Sequence, residues 1–222
     1  MNKKILIIVS NIDTLAGEPN GTYLPELTHA LKVIIDKGYD YEILSPKGGA
    51  APHYGGDDPE DVITQTLLKD KTFSTRLKHT VKVSDINAED FAAVFYPGGY
   101  GLLFDLIDHQ QIAAISREIY EAGGPISAVC HGPAALHPIT LSDGSSILSN
   151  KQVTGFTREE EVAMDTVDKV PFLVDEKLLE KAGSYTKVPA WGTHVIVSDN
   201  IITGQNPQSS HGVAEALIEQ LA

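Results

Sequence analysis

Cys130 is the only cysteine among 222 residues, and it stands in a segment built for chemistry. The run Gly124-Pro125-Ile126-Ser127-Ala128-Val129-Cys130-His131-Gly132-Pro133 reads as a strand, a tight turn at Cys130, and a helix start. Ala128 and Gly132 lie two residues before and after the cysteine. Small residues at these places let a chain turn sharply and lift the central side chain out of the sheet, as at a nucleophile elbow. A free cysteine is often a buried hydrophobe, but elbow, helix start and adjacent histidine coincide here. The helix start predicts a depressed thiol pKa and a thiolate at neutral pH. His131 can serve as the base if the turn brings its imidazole to the sulfur; it can equally be a residue that opens the helix.

Three other segments could add to this site. Phe95-Tyr96-Pro97-Gly98-Gly99-Tyr100-Gly101 follows an apolar run. Glycines there let backbone N–H groups approach a ligand, as in an oxyanion hole. The spacing is not G-x-G-x-x-G, so no dinucleotide site is implied. In Asn20-Gly21-Thr22-Tyr23-Leu24-Pro25-Glu26, the Pro-Glu pair by itself reads as an ordinary first-turn acid, Glu26, at a helix start. Thr157-Arg158-Glu159-Glu160-Glu161 reads by itself as a solvated acidic helix start.

The elements that must position these residues alternate between strand and helix. Ile5–Val9, Tyr41–Leu44, Phe91–Tyr96 and Ile126–Val129 are short apolar runs without polar alternation, as in strands buried on both faces. Val195–Val197 and Ile201–Thr203 add two strands joined through Ser198-Asp199-Asn200. Helical spacing occupies Pro25–Lys37, Asp105–Ala122 and Ser209–Leu221, with a short helix at His131–Leu136. This order predicts an α/β fold: a three-layer α/β/α sandwich around a mostly parallel sheet, with its site at the strands' carboxyl ends. Residues 46–84 interrupt the rhythm after the second strand. They read as surface decoration or as a lid or dimer-contact insertion in one domain spanning 1–222, with Asp58-Pro59 as a helix start.

Composition bounds the function. Hydrophobic residues are 42% and charged residues 21%, ordinary for a globular chain, and the net charge of −13 repels nucleic acid and anionic membranes. A single cysteine excludes an internal disulfide and zinc sites built on two or more cysteines, and fits a reducing cytoplasm. Lys3 and Lys4 precede an apolar run too short for a signal-peptide core. No stretch approaches the ~18 apolar residues of a membrane span.

Taken together, Gly21-Thr22-Tyr23-Leu24-Pro25-Glu26-Leu27-Thr28-His29, Pro97-Gly98-Gly99 with Gly101 and Asp105, Ala128–Pro133, Thr154-Gly155-Phe156-Thr157 with Glu161, and Thr203-Gly204-Gln205-Asn206-Pro207 with Ser209-Ser210 resemble the PfpI superfamily. Within it the chain is most similar to the glyoxalase III and small heat-inducible chaperone branch. The resemblance implies a flavodoxin-like, class I glutamine amidotransferase-like fold. It implies Cys130 as nucleophile, His131 as its partner, Glu161 orienting His131, and Glu26 hydrogen-bonded to the sulfur. The backbone amides of Gly99 and His131 would form the oxyanion hole. Tyr100 departs from the branch, which often has histidine there, and this bears on the pocket mouth. None of the eight histidines is followed two residues later by glutamate, so the His-x-Glu pattern of true glutaminases is missing.

The activity implied is a cofactor-independent glyoxalase of type III, a lyase that turns methylglyoxal and water into lactate without glutathione. Protein deglycase action in stress defence would be the same aldehyde chemistry. The resemblance also admits a holdase chaperone and a cysteine amidase or peptidase. It implies no cofactor and no metal, a small reactive aldehyde as partner, and a homodimer in the cytoplasm.

Overall fold

A computed structural model describes residues 4–222; Lys3 lies outside the described residues. The central sheet has seven strands: β1 (Lys4–Ile8), β2 (Tyr41–Ser45), β3 (Val81–Lys82), β4 (Phe91–Tyr96), β5 (Ile126–Val129), β6 (Val195–Ser198) and β7 (Ile201–Gly204). Their spatial order is β6-β7-β5-β4-β1-β2-β3. Every pairing is parallel except the β6–β7 hairpin. Without the two outermost strands the order β2-β1-β4-β5-β7 is the doubly wound flavodoxin arrangement, whose sequence reverses beside β1. In register, Ile7 of β1 faces Phe95 of β4, and Tyr96 faces Ala128 of β5. The carboxyl ends of β4 and β5, where Gly98 and Cys130 follow, therefore lie side by side.

Helices cover both faces: α1 (Leu24–Asp36), α2 (Val62–Lys69), α3 (Lys71–Lys78), α4 (Leu102–Asp105), α5 (Gln110–Glu121), α6 (Arg158–Ala163), α7 (Val174–Leu179) and α8 (Ser210–Leu221). This double cover is why β1 carries four consecutive residues, Ile5 to Ile8, with no exposed surface. Proline in the first turn of α1 sets its entry, and Leu24, Leu27, Leu31 and Ile34 form its buried stripe. Glu26 is buried with them, which already separates it from an ordinary first-turn acid. Among the described residues, no helix is long and apolar enough to cross a membrane.

Two element boundaries differ from the expected ones. The helix expected over Asp105–Ala122 is split into α4 and α5. Asp105 accepts from the Ser10 hydroxyl (2.9 Å) and the Asn11 amide (2.7 Å) just past the carboxyl end of β1, and His109 starts α5 afresh. In the 46–84 segment the helix cap is Asp61 rather than Asp58; its carboxylate accepts from the Thr64 amide at 3.1 Å. That segment also sends His53–Tyr54 to pair in parallel with Thr22–Tyr23, just ahead of α1.

Candidate active site

Cys130 follows β5 with φ of +61°, a left-handed backbone that a non-glycine residue adopts only when its surroundings hold it there. Both sides of the turn are held. The Cys130 amide donates to Gly204 O at 2.9 Å, and the Cys130 carbonyl accepts from the Phe156 amide at 2.9 Å. A side chain at Gly132 would bring its Cβ within 2.5 Å of Tyr96 O, so the turn demands the glycine. The elbow read from Ala128 and Gly132 is thus present.

The expected thiolate is not what these surroundings favour. The helix after Cys130 is one 3-10 element, Gly132–Leu136, too short to bring a strong dipole to the sulfur. Burial pushes the Cys130 thiol well up, and the nearby Glu26 carboxyl pushes it further, against a smaller lowering by the His131 amide.

His131 is held on all sides. Its Nδ1 lies 3.2 Å from Cys130 Sγ, and its Nε2 donates to Glu161 Oε1 at 2.8 Å. A carboxylate at Glu161 can only accept, so it fixes the tautomer with the proton on Nε2 and leaves Nδ1 towards the thiol, where it can act as acceptor. The ring also packs between Tyr100 and Phe156, with centroids 4.4 and 4.5 Å away. Glu161 has no exposed surface. Its second oxygen accepts from the Thr166 hydroxyl, which in turn lies 3.1 Å from Tyr100 Oη. The solvated acidic helix start expected for 157–161 is corrected accordingly. Glu160 and Glu161 are buried, because side-chain and backbone donors surround them; only Glu159 of the three is exposed.

Glu26 lines the same cavity as the sulfur. Its Oε2 accepts from the Gly98 amide at 2.7 Å, while Oε1 is buried with no hydrogen-bond partner among the described residues. Gly98 makes the approach possible: an added Cβ would fall 2.4 Å from Glu26 Oε2 and 2.8 Å from Cys130 Cβ. Burial raises the Glu26 pKa to about 8, outweighing the lowering by the neighbouring Cys130 thiol and by the hydrogen bond from the Gly98 amide. At neutral pH it therefore keeps its proton and can donate to sulfur.

These groups open on a cavity of about 130 Å³ lined by Glu26, Cys130 and His131 with the rings of Tyr23, Tyr54, Tyr100, Phe156 and Trp191. That is roughly ten times the space one water needs. The amides of Gly99 and His131 donate to no protein oxygen among the described residues. The His131 amide instead faces the sulfur. Among the described residues, no lysine or arginine lines the cavity. The arrangement suits a small uncharged electrophile: a thiol beside an imidazole acceptor and a protonated carboxyl group, with the Gly99 and His131 amides donating to no protein oxygen among the described residues.

Of the expected positions, Glu26, Cys130 and His131 line this cavity, Glu161 lies behind His131, and Gly99 follows Gly98, whose Cα faces Glu26 and Cys130. Sequence reasoning missed Tyr54, Thr166 and Trp191. Tyr54 comes from the 46–84 segment and lies 5.1 Å, ring to ring, from Tyr23. Its aromatic type within a glycine-rich stretch is the only signal that could have found it. Thr166 and Trp191 carry none, since both occupy irregular backbone.

Comparison with known proteins places the chain as a whole. The chain is 31% identical to "Glyoxalase 3" of Candida albicans, the alignment covering 98% of each. It is 28% identical to "Glutathione-independent glyoxalase HSP31" of Saccharomyces cerevisiae, over 99% of this chain and 98% of that protein. In three dimensions it matches the crystal structure of Candida albicans glyoxalase III with a TM-score of 0.85 at 28% identity, covering 98% and 97% of the two chains. It matches Francisella tularensis Rapid Encystment Protein 24 kDa with a TM-score of 0.95 at 32% identity, over the full length of both. Residues 25–220, from the proline beside Glu26 to the last turn of α8, match the DJ-1/PfpI family, and the chain belongs to it.

Proposed function

We propose that the protein is a glutathione-independent glyoxalase of type III, converting methylglyoxal and water to lactate. The carrying observation is the buried thiol that shares one small cavity with an imidazole acceptor and a carboxyl group poised near neutral pH. Similarity to glyoxalases along the whole chain supports the same reading.

Cys130 Sγ attacks the aldehyde carbon and forms a carbon–sulfur bond, while His131 Nδ1 takes the thiol proton. The carbonyl oxygen becomes an alkoxide held by the Gly99 and His131 amides, giving a hemithioacetal once protonated. Glu26, in its ionised fraction, removes the hydrogen on C1 to give an enediol and returns it to C2. A group whose pKa lies near the working pH can both take and give this proton. The product is a thioester of lactate. Water attacks it, the carbon–sulfur bond breaks, and the thiol regains its proton. No electron leaves or enters overall, so no external redox partner is required.

Glu161 acts through His131 by fixing its tautomer and orientation. The 46–84 segment belongs to the site in this reading, because Tyr54 walls the cavity. A space of this size admits a small aldehyde more readily than a peptide, which disfavours the peptidase alternative. The reading carries with it a homodimer acting in the cytoplasm, checked by light scattering and by fractionation. The central test is incubation with methylglyoxal, without glutathione, and measurement of lactate. Wild type should produce it and Cys130→Ser should not; absence of lactate from wild type would overturn the proposal.

A further inference from the structure

Glu160 is fully buried, pairs with no cationic side chain among the described residues, and yet accepts five hydrogen bonds. Its two oxygens face different tasks. Oε2 accepts from the Thr157 amide (3.0 Å) and hydroxyl (2.8 Å), closing the capping box that starts α6. Oε1 accepts from the Trp191 amide (2.9 Å), Gln205 Nε2 (3.1 Å) and Asn206 Nδ2 (2.8 Å).

Those two carboxamides grip the same loop again. Gln205 Oε1 accepts from the Val188 amide at 2.9 Å, and Asn206 Nδ2 donates to Gly192 O at 2.8 Å. Residues 186–194 contain no helix or strand, so their path is set by this knot. Trp191 itself has φ of +66°, a conformation that persists only where the surroundings impose it. Its indole meets Phe156 edge-on at 5.9 Å between centroids, and Phe156 in turn packs on His131. All five partners of Glu160 are donors. A carboxylate matches them, whereas a carboxamide would turn an NH₂ group towards N–H or O–H donors.

We propose that Glu160 is a positioning residue that sets the Trp191 wall of the cavity and thereby the size of molecule that reaches Cys130. The motif Gln205-Asn206-Pro207 gains a purpose from this: its amides complete the clamp. The consequence for aldehyde size rests on the glyoxalase reading. The clamp does not, and it is read without turnover.

Trp191 is the only tryptophan, so intrinsic tryptophan fluorescence reports on this wall alone. In full-length Glu160→Gln, emission should move to longer wavelength and acrylamide quenching should rise. The rate of Cys130 alkylation by N-phenylmaleimide relative to iodoacetamide should rise about fivefold or more, the scale of one lost hydrogen bond. Thr157→Val removes a hydroxyl partner of Oε2 and the cap acceptor of the Glu160 amide but no partner of Oε1; it should lower the melting temperature while leaving emission and the alkylation ratio at wild-type values. With methylglyoxal, Glu160→Gln should raise KM more than it lowers kcat. Wild-type emission and alkylation ratio in Glu160→Gln would overturn the proposal, whatever the lactate assay shows. So would equal changes in Thr157→Val, which would mean a general loosening of α6. If Glu160→Gln does not fold, Asn206→Ala takes its place, since it removes one Oε1 donor and the Gly192 bond. Red-shifted emission and a raised alkylation ratio in Asn206→Ala then support the clamp, and wild-type values of both overturn it.

Discussion

Replacing Glu26 with glutamine should make the protein more stable and nearly inactive at once. Glutamine keeps the shape, accepts from the Gly98 amide through its oxygen, and offers an N–H to Cys130. It lacks the cost of ionisation. Glu26 has a folded pKa of about 8 against an ordinary 4.5. Between these values the folded state holds a proton that the unfolded state has released, so wild-type stability falls as pH rises through that window. At about 1.36 kcal/mol per pKa unit, the loss is roughly 1 kcal/mol at pH 5, about 3 kcal/mol at pH 7 and about 4 kcal/mol at pH 8. Glu26→Gln escapes it. For a chain of this size the melting temperature should rise by roughly 6–12 °C at pH 7, with little change at pH 5. Lactate production should fall about a hundredfold or more, because glutamine cannot carry the C1 proton. Scanning calorimetry from pH 5 to 8 and lactate assays on the same preparations test both halves. A melting-temperature difference that does not grow with pH would refute the buried-acid argument. Turnover within a few-fold of wild type would refute the role of Glu26 as proton carrier.

Iodoacetamide alkylation of wild-type Cys130 should show its inflection above the free-thiol value of about 8.5, since burial and Glu26 both raise it, and Glu26→Gln should move that inflection down. Gly98→Ala should abolish turnover and cost roughly 1–3 kcal/mol in denaturant titration, because the new Cβ must displace either the Glu26 carboxyl group or Cys130. Thr166→Val removes a donor from Glu161 and should lower kcat/KM about tenfold, with Thr166→Ser restoring most of it; an unchanged pH–rate profile in Thr166→Val would detach Thr166 from the histidine.

The sheet is legible in the sequence because its strands are covered on both faces, which forces unbroken apolar runs such as Ile5–Ile8. The elbow is legible because its small residues flank one cysteine at fixed distances. Glu26 is harder. Pro25-Glu26 has the same local pattern whether the acid meets water or sulfur, and the partner that decides, Gly98, is 72 residues away. The three consecutive glutamates at 159–161 show the same limit. Local spacing says solvated, while donors from Thr157, Trp191, Gln205 and Asn206 bury the middle one. The thiol pKa misleads for a local reason: a cysteine before Gly132-Pro133 promises a helix dipole, and the chain delivers only one short 3-10 turn.

The long separations around the cavity have a consequence in time. Glu26 meets Gly98 across 72 residues, His131 meets Glu161 across 30, and Glu160 meets Asn206 across 46. Contacts so distant along the chain close late, after local helices and the first strand pairs have formed. Until they close, Cys130 is an ordinary exposed thiol, open to oxidants and alkylating agents. Completing the fold both hides that thiol and arms it, so lactate production on refolding should lag behind the recovery of helical circular dichroism.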